Sequence, residues 1–190
     1  MQSLTKETIL HALTLLDEKL GRQDIKGEIC LIGGSVMVLA FNARKSTKDV
    51  DAIFQPAAAI RAAIKEIQYE QDFPNNWMND AAKVFTSPKH TAGIEEAKNL
   101  PHFSHLTVFW PRPDYLLAMK AIASRVDVVG ENQRDVEDIK LLVKHLGLKS
   151  PTEVFDIVQK YYAANLIPPR TQYVVKMVFQ KFTSSKSSSE

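Results

Sequence analysis

The chemistry most legible in this chain lies in two glycines and two aspartates. Gly33 and Gly34 directly follow the apolar run Ile29-Cys30-Leu31-Ile32 and leave room for a backbone to approach a ligand closely. Ser35 is positioned to cap a following helix, whose N-terminus favours phosphate. Asp49 and Asp51 alternate with Val50, so in a strand both carboxylates point the same way. Residues two apart in a strand are about 6.5 Å apart. Ionised carboxylates at that separation repel by roughly 2.5 kcal/mol at an effective dielectric of about 20. A divalent cation between them offsets that cost. Mg²⁺, with Mn²⁺ as a substitute, fits best, because it is commonly held by one or two carboxylates plus substrate phosphates. Arg44, Lys45 and Lys48 lie close by in the sequence, either as a solvated basic turn or as contacts to a triphosphate. Together these pieces describe a nucleotide phosphate site.

The elements that must hold these residues follow from periodicity. An amphipathic helix is predicted over Ser3–Leu20, ended by Gly21, with a turn at Asp24–Gly27 before the first strand. The segment after Ser35 is apolar almost all round and predicts a buried helix through Phe41. Asp49 and Asp51 then belong to a second strand. A helix over Ala57–Glu70 carries Ile60, Ile64 and Ile67 inward, and a short helix is predicted over Asn75–Phe85 with Trp77 and Phe85 in the core. Asn79 and Asp80 read as a helix cap, with a place in a cleft as the alternative. From Thr86 to Ser104 the pattern is weak. Leu106–Trp110 reads as a strand. Pro113 opens a helix to about Val126, and Gln133–Leu146 forms another, with Asp135 and Asp138 on one face and Gly147 at its end. Helices from Pro151 to Ala163 and from Thr171 to Phe182 complete the chain, and a serine-rich tail, 183–190, is expected to be disordered.

The order Gly33-Gly34-Ser35, an intervening helix, then Lys45-x-Thr47-x-Asp49-Val50-Asp51 resembles the nucleotidyltransferases of the DNA polymerase β-like superfamily. The branch it is most similar to is the AbiEii/MenT-like one, toxin nucleotidyltransferases of bacterial toxin–antitoxin pairs. Lys45 stands where that pattern has arginine, with Arg44 one residue early. The resemblance spans roughly residues 28 to 147. It implies an α/β (α+β) fold, with a small mixed-sheet core over 1–112 and a helical bundle over 113–182. It also implies that Gly33, Gly34, Ser35, Arg44, Lys45 and Thr47 hold a nucleoside triphosphate, while Asp49 and Asp51 bind Mg²⁺. The pair of helices carrying Lys120 and Arg134-Asp135-x-x-Asp138 resembles the family's second signature. There the lysine contacts phosphate and the later aspartate, here Asp138, completes the site. The alternative is a structural ion-pair network between two antiparallel helices. An RNA acceptor such as a tRNA 3′ end, and a neutralising antitoxin as partner, are implied in the same way. A third carboxylate on the Leu106–Trp110 strand, present in many superfamily members, is absent, leaving Asp80, Asp135 or Asp138 as candidates. Two rival functions are adenylylation of a small molecule such as an aminoglycoside, and a non-catalytic nucleotide- or partner-binding module.

Composition sets the limits. The chain has 190 residues, 45% of them apolar, enough for a sizeable core. Its net charge of +2 gives no global drive toward nucleic acid or membrane. A local exception is the stretch from Arg170 to Lys186, with basic residues, interleaved aromatics and no acid. That pattern suits single-stranded RNA or a packed helix with a solvated face. One cysteine excludes an intramolecular disulfide, and Cys30 reads as core rather than nucleophile. His90, His102 and His105 match no zinc spacing. No apolar run approaches the ~20 residues of a membrane span, and the polar N-terminus lacks a signal-peptide core. A cytoplasmic enzyme is the expectation.

Overall fold

In the computed structural model, residues 3–124 and 133–184 are described. The fold is mixed α/β of the α+β type, and the chain divides into two compact units. One comprises the chain to Val84 together with Ile94–Pro111; the other comprises Phe85–Gly93 together with the chain from Arg112.

The first unit begins with a two-residue strand, β1 (Leu4–Thr5), and a helix, α1 (Lys6–Arg22). Thr5 caps that helix by accepting a hydrogen bond from the Thr8 backbone N–H at 3.3 Å. Gly21 does not end it; the glycine leaves space for the His105 ring, which a methyl group would meet at 2.9 Å. Next come β2 (Gly27–Ile32), α2 (Gly34–Leu39), β3 (Ser46–Thr47), β4 (Val50–Gln55) and α3 (Ala57–Glu70). The predicted helix over Asn75–Phe85 is not formed. Met78–Asn79 is instead a short strand, β5, running parallel to β4, and a 3₁₀ turn covers Ala81–Phe85. Asn76 adopts a positive φ of 57°, and the Val50 N–H bonds to the Trp77 carbonyl at 2.7 Å. Trp77 is fully buried, as expected, whereas Phe85 is only half-buried. With that helix absent, Asn79 does not cap one; its side-chain oxygen accepts from the Ala81 N–H at 2.9 Å, in a local turn leading out of β5. β6 (Ile94–Glu96) and β7 (Leu106–Pro111) complete a five-stranded sheet of order β5-β4-β2-β7-β6.

The register separates the sheet's faces. Ile29 and Leu31 lie opposite Phe54 and Ala52, and Ile29 is paired with Val108. These residues are all buried. At that face Gly27 is the close-approach point, where a methyl group would meet Leu20 of α1 at 2.7 Å and Ile60 of α3 at 3.3 Å. Lys19, itself buried, ties the two helices through Glu66 at 3.0 Å and Glu70 at 2.8 Å. The opposite face carries Cys30, Ile32, Asp51 and Ile53. Burial pushes the Cys30 thiol up to about 12. Its reaction with a disulfide reagent at pH 8 is therefore expected to be on the order of a thousandfold slower in the native protein than in denaturant, as absorbance at fixed reagent concentration will show.

In the second unit, α4 (His90–Gly93) is followed by α5 (Pro113–Ala123), α6 (Gln133–His145), α7 (Pro151–Tyr161) and α8 (Pro169–Ser184). α5 is buried on nearly every side and packs against α6, α7 and α8. Ser150 caps α7, its hydroxyl accepting from the Glu153 N–H at 3.3 Å, while the Glu153 carboxylate accepts from the Lys149 N–H at 2.9 Å. Gly147, at φ +69°, ends α6 as expected. The segment before α4 is anchored on Tyr115, whose hydroxyl accepts from the Ser87 N–H at 2.9 Å and lies 3.1 Å from His90 Nδ1. Burial lowers the His90 pKa below its ordinary 6.5. The unfolded chain thus takes up this proton first, so stability present above about pH 6.5 is lost as pH falls through that range. Urea midpoints at pH 7 and at about pH 5.5 should accordingly differ more for the native chain than for His90→Gln. Arg125 and the tail beyond Ser184 lie outside the described residues.

Candidate active site

The site in the first unit forms where β2 meets α2. Gly33 holds φ 67° and ψ −132°, a conformation that side chains other than glycine's rarely adopt. It also abuts an acid: a methyl group on Gly33 would lie 2.9 Å from Asp51 Oδ2. Gly34 is equally confined. A methyl group there would meet Thr47 Oγ1 at 2.5 Å and an Arg44 guanidinium nitrogen at 3.5 Å. The two glycines therefore gather Asp51, Thr47 and Arg44 around one turn of backbone. Asp51 lies opposite Ile32, the residue before that turn, in the β2–β4 ladder.

Thr47 is buried and belongs to β3, which pairs antiparallel with β1 through Leu4–Thr47 and Thr5–Ser46. The N-terminal strand thus fixes the loop that carries Arg44. This pairing was missed in the sequence, where Ser3–Leu20 reads as one helix. Of the three nearby basic residues, Arg44 reaches Gly34, while Lys45 and Lys48 are exposed. Asp49 precedes β4 rather than lying within it, yet it and Asp51 are both half-buried on either side of buried Val50.

Ser35 does not cap the helix. Gly33 occupies the cap position, and the fully buried Ser35 hydroxyl donates to the Ile32 carbonyl at 2.9 Å. Its proton is committed to tying the helix start to the strand end. α2 spans only six residues, so any anion at this turn would depend on loop N–H groups and Arg44 more than on a helix dipole. The contact with Thr47 gives a test. Gly34→Ala is expected to cost about 1–3 kcal/mol of stability, much of it recovered in a Gly34→Ala/Thr47→Ala double variant, because the nearest clashing atom is then gone. A double-mutant cycle by denaturant unfolding measures that coupling.

Among the described residues no group of three or more His, Cys, Asp or Glu side chains is placed to hold a metal ion. Asp80 is paired with Arg61 at 2.5 Å. Asp49 and Asp51 would supply Mg²⁺ with a two-carboxylate site completed by substrate and water oxygens. Gly33 lets the Asp51 carboxylate pack against the turn, Oδ2 lying 2.9 Å from where a methyl group would sit.

In the second unit, Lys120 on α5 contacts Asp138 on α6 at 2.6 Å and Asp135 at 3.6 Å. The Asp138 side chain is 5% exposed and that of Lys120 11%. The sequence thus selected residues that do meet, and the shorter contact goes to Asp138. Arg134 is exposed.

Comparison with protein-family models, curated proteins and solved structures finds no significant match to this chain. No helix among the described residues is long and apolar enough to cross a membrane.

Proposed function

We propose that the protein is a Mg²⁺-dependent nucleotidyltransferase, moving a nucleoside monophosphate from a triphosphate to an acceptor hydroxyl. The observation that carries this reading is the confinement of Gly33 against Asp51 and of Gly34 against Thr47 and Arg44. Pieces separated in sequence meet at one turn, in the combination that a triphosphate and its metal require. Backbone N–H groups of the Gly33-Gly34 turn and the Arg44 guanidinium would bind the phosphates, and Thr47 would hold the turn in place. Asp49 and Asp51 would hold the cation. When bound, Mg²⁺ supplies charge neutralisation at the phosphates and orients the reacting one. In the transfer, the acceptor oxygen bonds to the α-phosphorus while the bond to the β-phosphate oxygen breaks. Pyrophosphate leaves and the hydroxyl proton passes to solvent.

The sequence resemblance supports an RNA acceptor, such as a tRNA 3′ end, and a toxin role with an antitoxin partner. By that resemblance Lys120 contacts phosphate and Asp138 supports it. Their 2.6 Å contact equally favours a clamp between α5 and α6. The sequence of the Leu106–Trp110 strand, which carries no carboxylate, supports one rival, a module that binds nucleotide without turnover.

Incubating the protein with Mg²⁺, each α-³²P-labelled nucleoside triphosphate and total RNA tests the assignment. Labelled RNA that requires Mg²⁺ is expected. Metal-dependent triphosphate binding with no labelled product would support the non-catalytic module instead.

A further inference from the structure

Beside the strand that carries Asp51 lies a groove of about 700 Å³ in the first unit, well within the size range of small-ligand sites. Its floor is apolar, formed by Phe54, Ile64 and Met78, all buried. Its walls are polar and rich in carboxamides, with Gln68, Asn75 and Asn79 among them. Gln68 Nε2 donates to Asn75 Oδ1 at 2.8 Å. That pair still offers a carbonyl oxygen and an amino group, the two functions that read a base edge.

α3 segregates its charges about this groove. Glu66 and Glu70 turn to Lys19 of α1, whereas Arg61 and Lys65, one helical turn apart, face the groove. Arg61 lies over the Phe54 ring at 5.5 Å and neutralises Asp80, the only acid among the lining residues. Tyr69, one further turn along, is 92% exposed. A tyrosine ring left that open at the rim of a positively biased, amide-walled groove is a stacking platform for a nucleobase. The groove floor lies on the face of the sheet opposite to Asp51, and the groove reaches the sheet edge at Asn79, which is in register beside Asp51 across the β4–β5 ladder.

We propose that this groove binds single-stranded RNA, with a base on Tyr69, amides reading base edges and Lys65 at a phosphate. Its assignment as the acceptor groove rests on the nucleotidyl-transfer reading. The test uses fluorescence anisotropy of a labelled single-stranded RNA of roughly ten nucleotides, with the full chain at low salt and without triphosphate. Tyr69→Ala and Lys65→Glu, both at exposed positions, are each expected to weaken binding about five- to tenfold, and the double variant more. Absence of binding by the native chain, or equal binding by native and double variant, overturns the proposal; the latter is also the outcome if the groove serves a protein partner. The two readings fail separately. RNA binding that depends on Tyr69 and Lys65 without any labelled product sustains the groove and removes the transferase. Undiminished product formation by the double variant at limiting RNA removes the groove and sustains the transferase.

Discussion

Asp51→Asn is expected to reduce nucleotidyl transfer by a factor on the order of 10²–10³, the scale on which removing one preorganised electrostatic group acts. The substitution keeps the size of the side chain and its place opposite Ile32 in the β2–β4 ladder, so the fold should survive. What is lost is one negative charge beside Gly33. Affinity for Mg²⁺-triphosphate should fall with it, while affinity for metal-free triphosphate should hold or rise as repulsion between anions is relieved. A variant made less stable but otherwise intact would show neither split. Steady-state kinetics over a Mg²⁺ titration, together with thermal unfolding of both proteins, separates the two explanations. Gly33→Ala should reduce transfer as well, by a different route: it demands a positive φ from alanine and sets a methyl group 2.9 Å from Asp51 Oδ2.

Replacing Asp138 by asparagine, or Lys120 by methionine, is expected to destabilise the second unit by about 3–5 kcal/mol. Each leaves a charge without its nearest partner in a site where the side chains are 5% and 11% exposed. Asp135, at 3.6 Å from Lys120 and a third exposed, offers only partial compensation in the first variant. A Lys120→Met/Asp138→Leu double variant should recover most of the loss, because well-packed apolar residues often replace a buried ion pair without penalty. Chemical denaturation of the four proteins measures this. Transfer activity then decides the role of the pair: a stable double variant without activity assigns Lys120 to phosphate chemistry, and a stable, active one assigns it to the clamp.

The residues that the sequence revealed are those whose type is restricted by local chemistry. Gly33 needs a positive φ and closeness to an acid, Asp51 alternates with buried neighbours along β4, and Gly147 ends a helix at φ +69°. Each of these leaves a mark within a few residues. The helix over Ala57–Glu70 was equally legible, since Ile60, Ile64 and Ile67 repeat at helical spacing and are all buried. The failures share the opposite cause. β1 and β5 are two residues long, and each exists through pairing with a distant partner, β3 and β4 respectively. Strand formation of that kind depends on tertiary context. The segment Asn75–Phe85 carries helix-forming alanines and a capping pair, so its local pattern pointed the wrong way. Ser35 was misjudged because a serine before an apolar run usually caps, whereas here the preceding glycine takes that position and the hydroxyl turns back to Ile32. Arg44 could not be ranked above Lys45 from sequence, because the contact with Gly34 is set by how β3 is held.

The most direct measurement is anomalous diffraction from crystals soaked with Mn²⁺ and a non-hydrolysable nucleoside triphosphate. A Mn²⁺ peak bridging the Asp49 and Asp51 carboxylates to the phosphates, with the phosphates on the Gly33-Gly34 turn and Arg44, is the predicted result. Triphosphate bound elsewhere, or no metal at either carboxylate when the nucleotide is in place, would contradict the account.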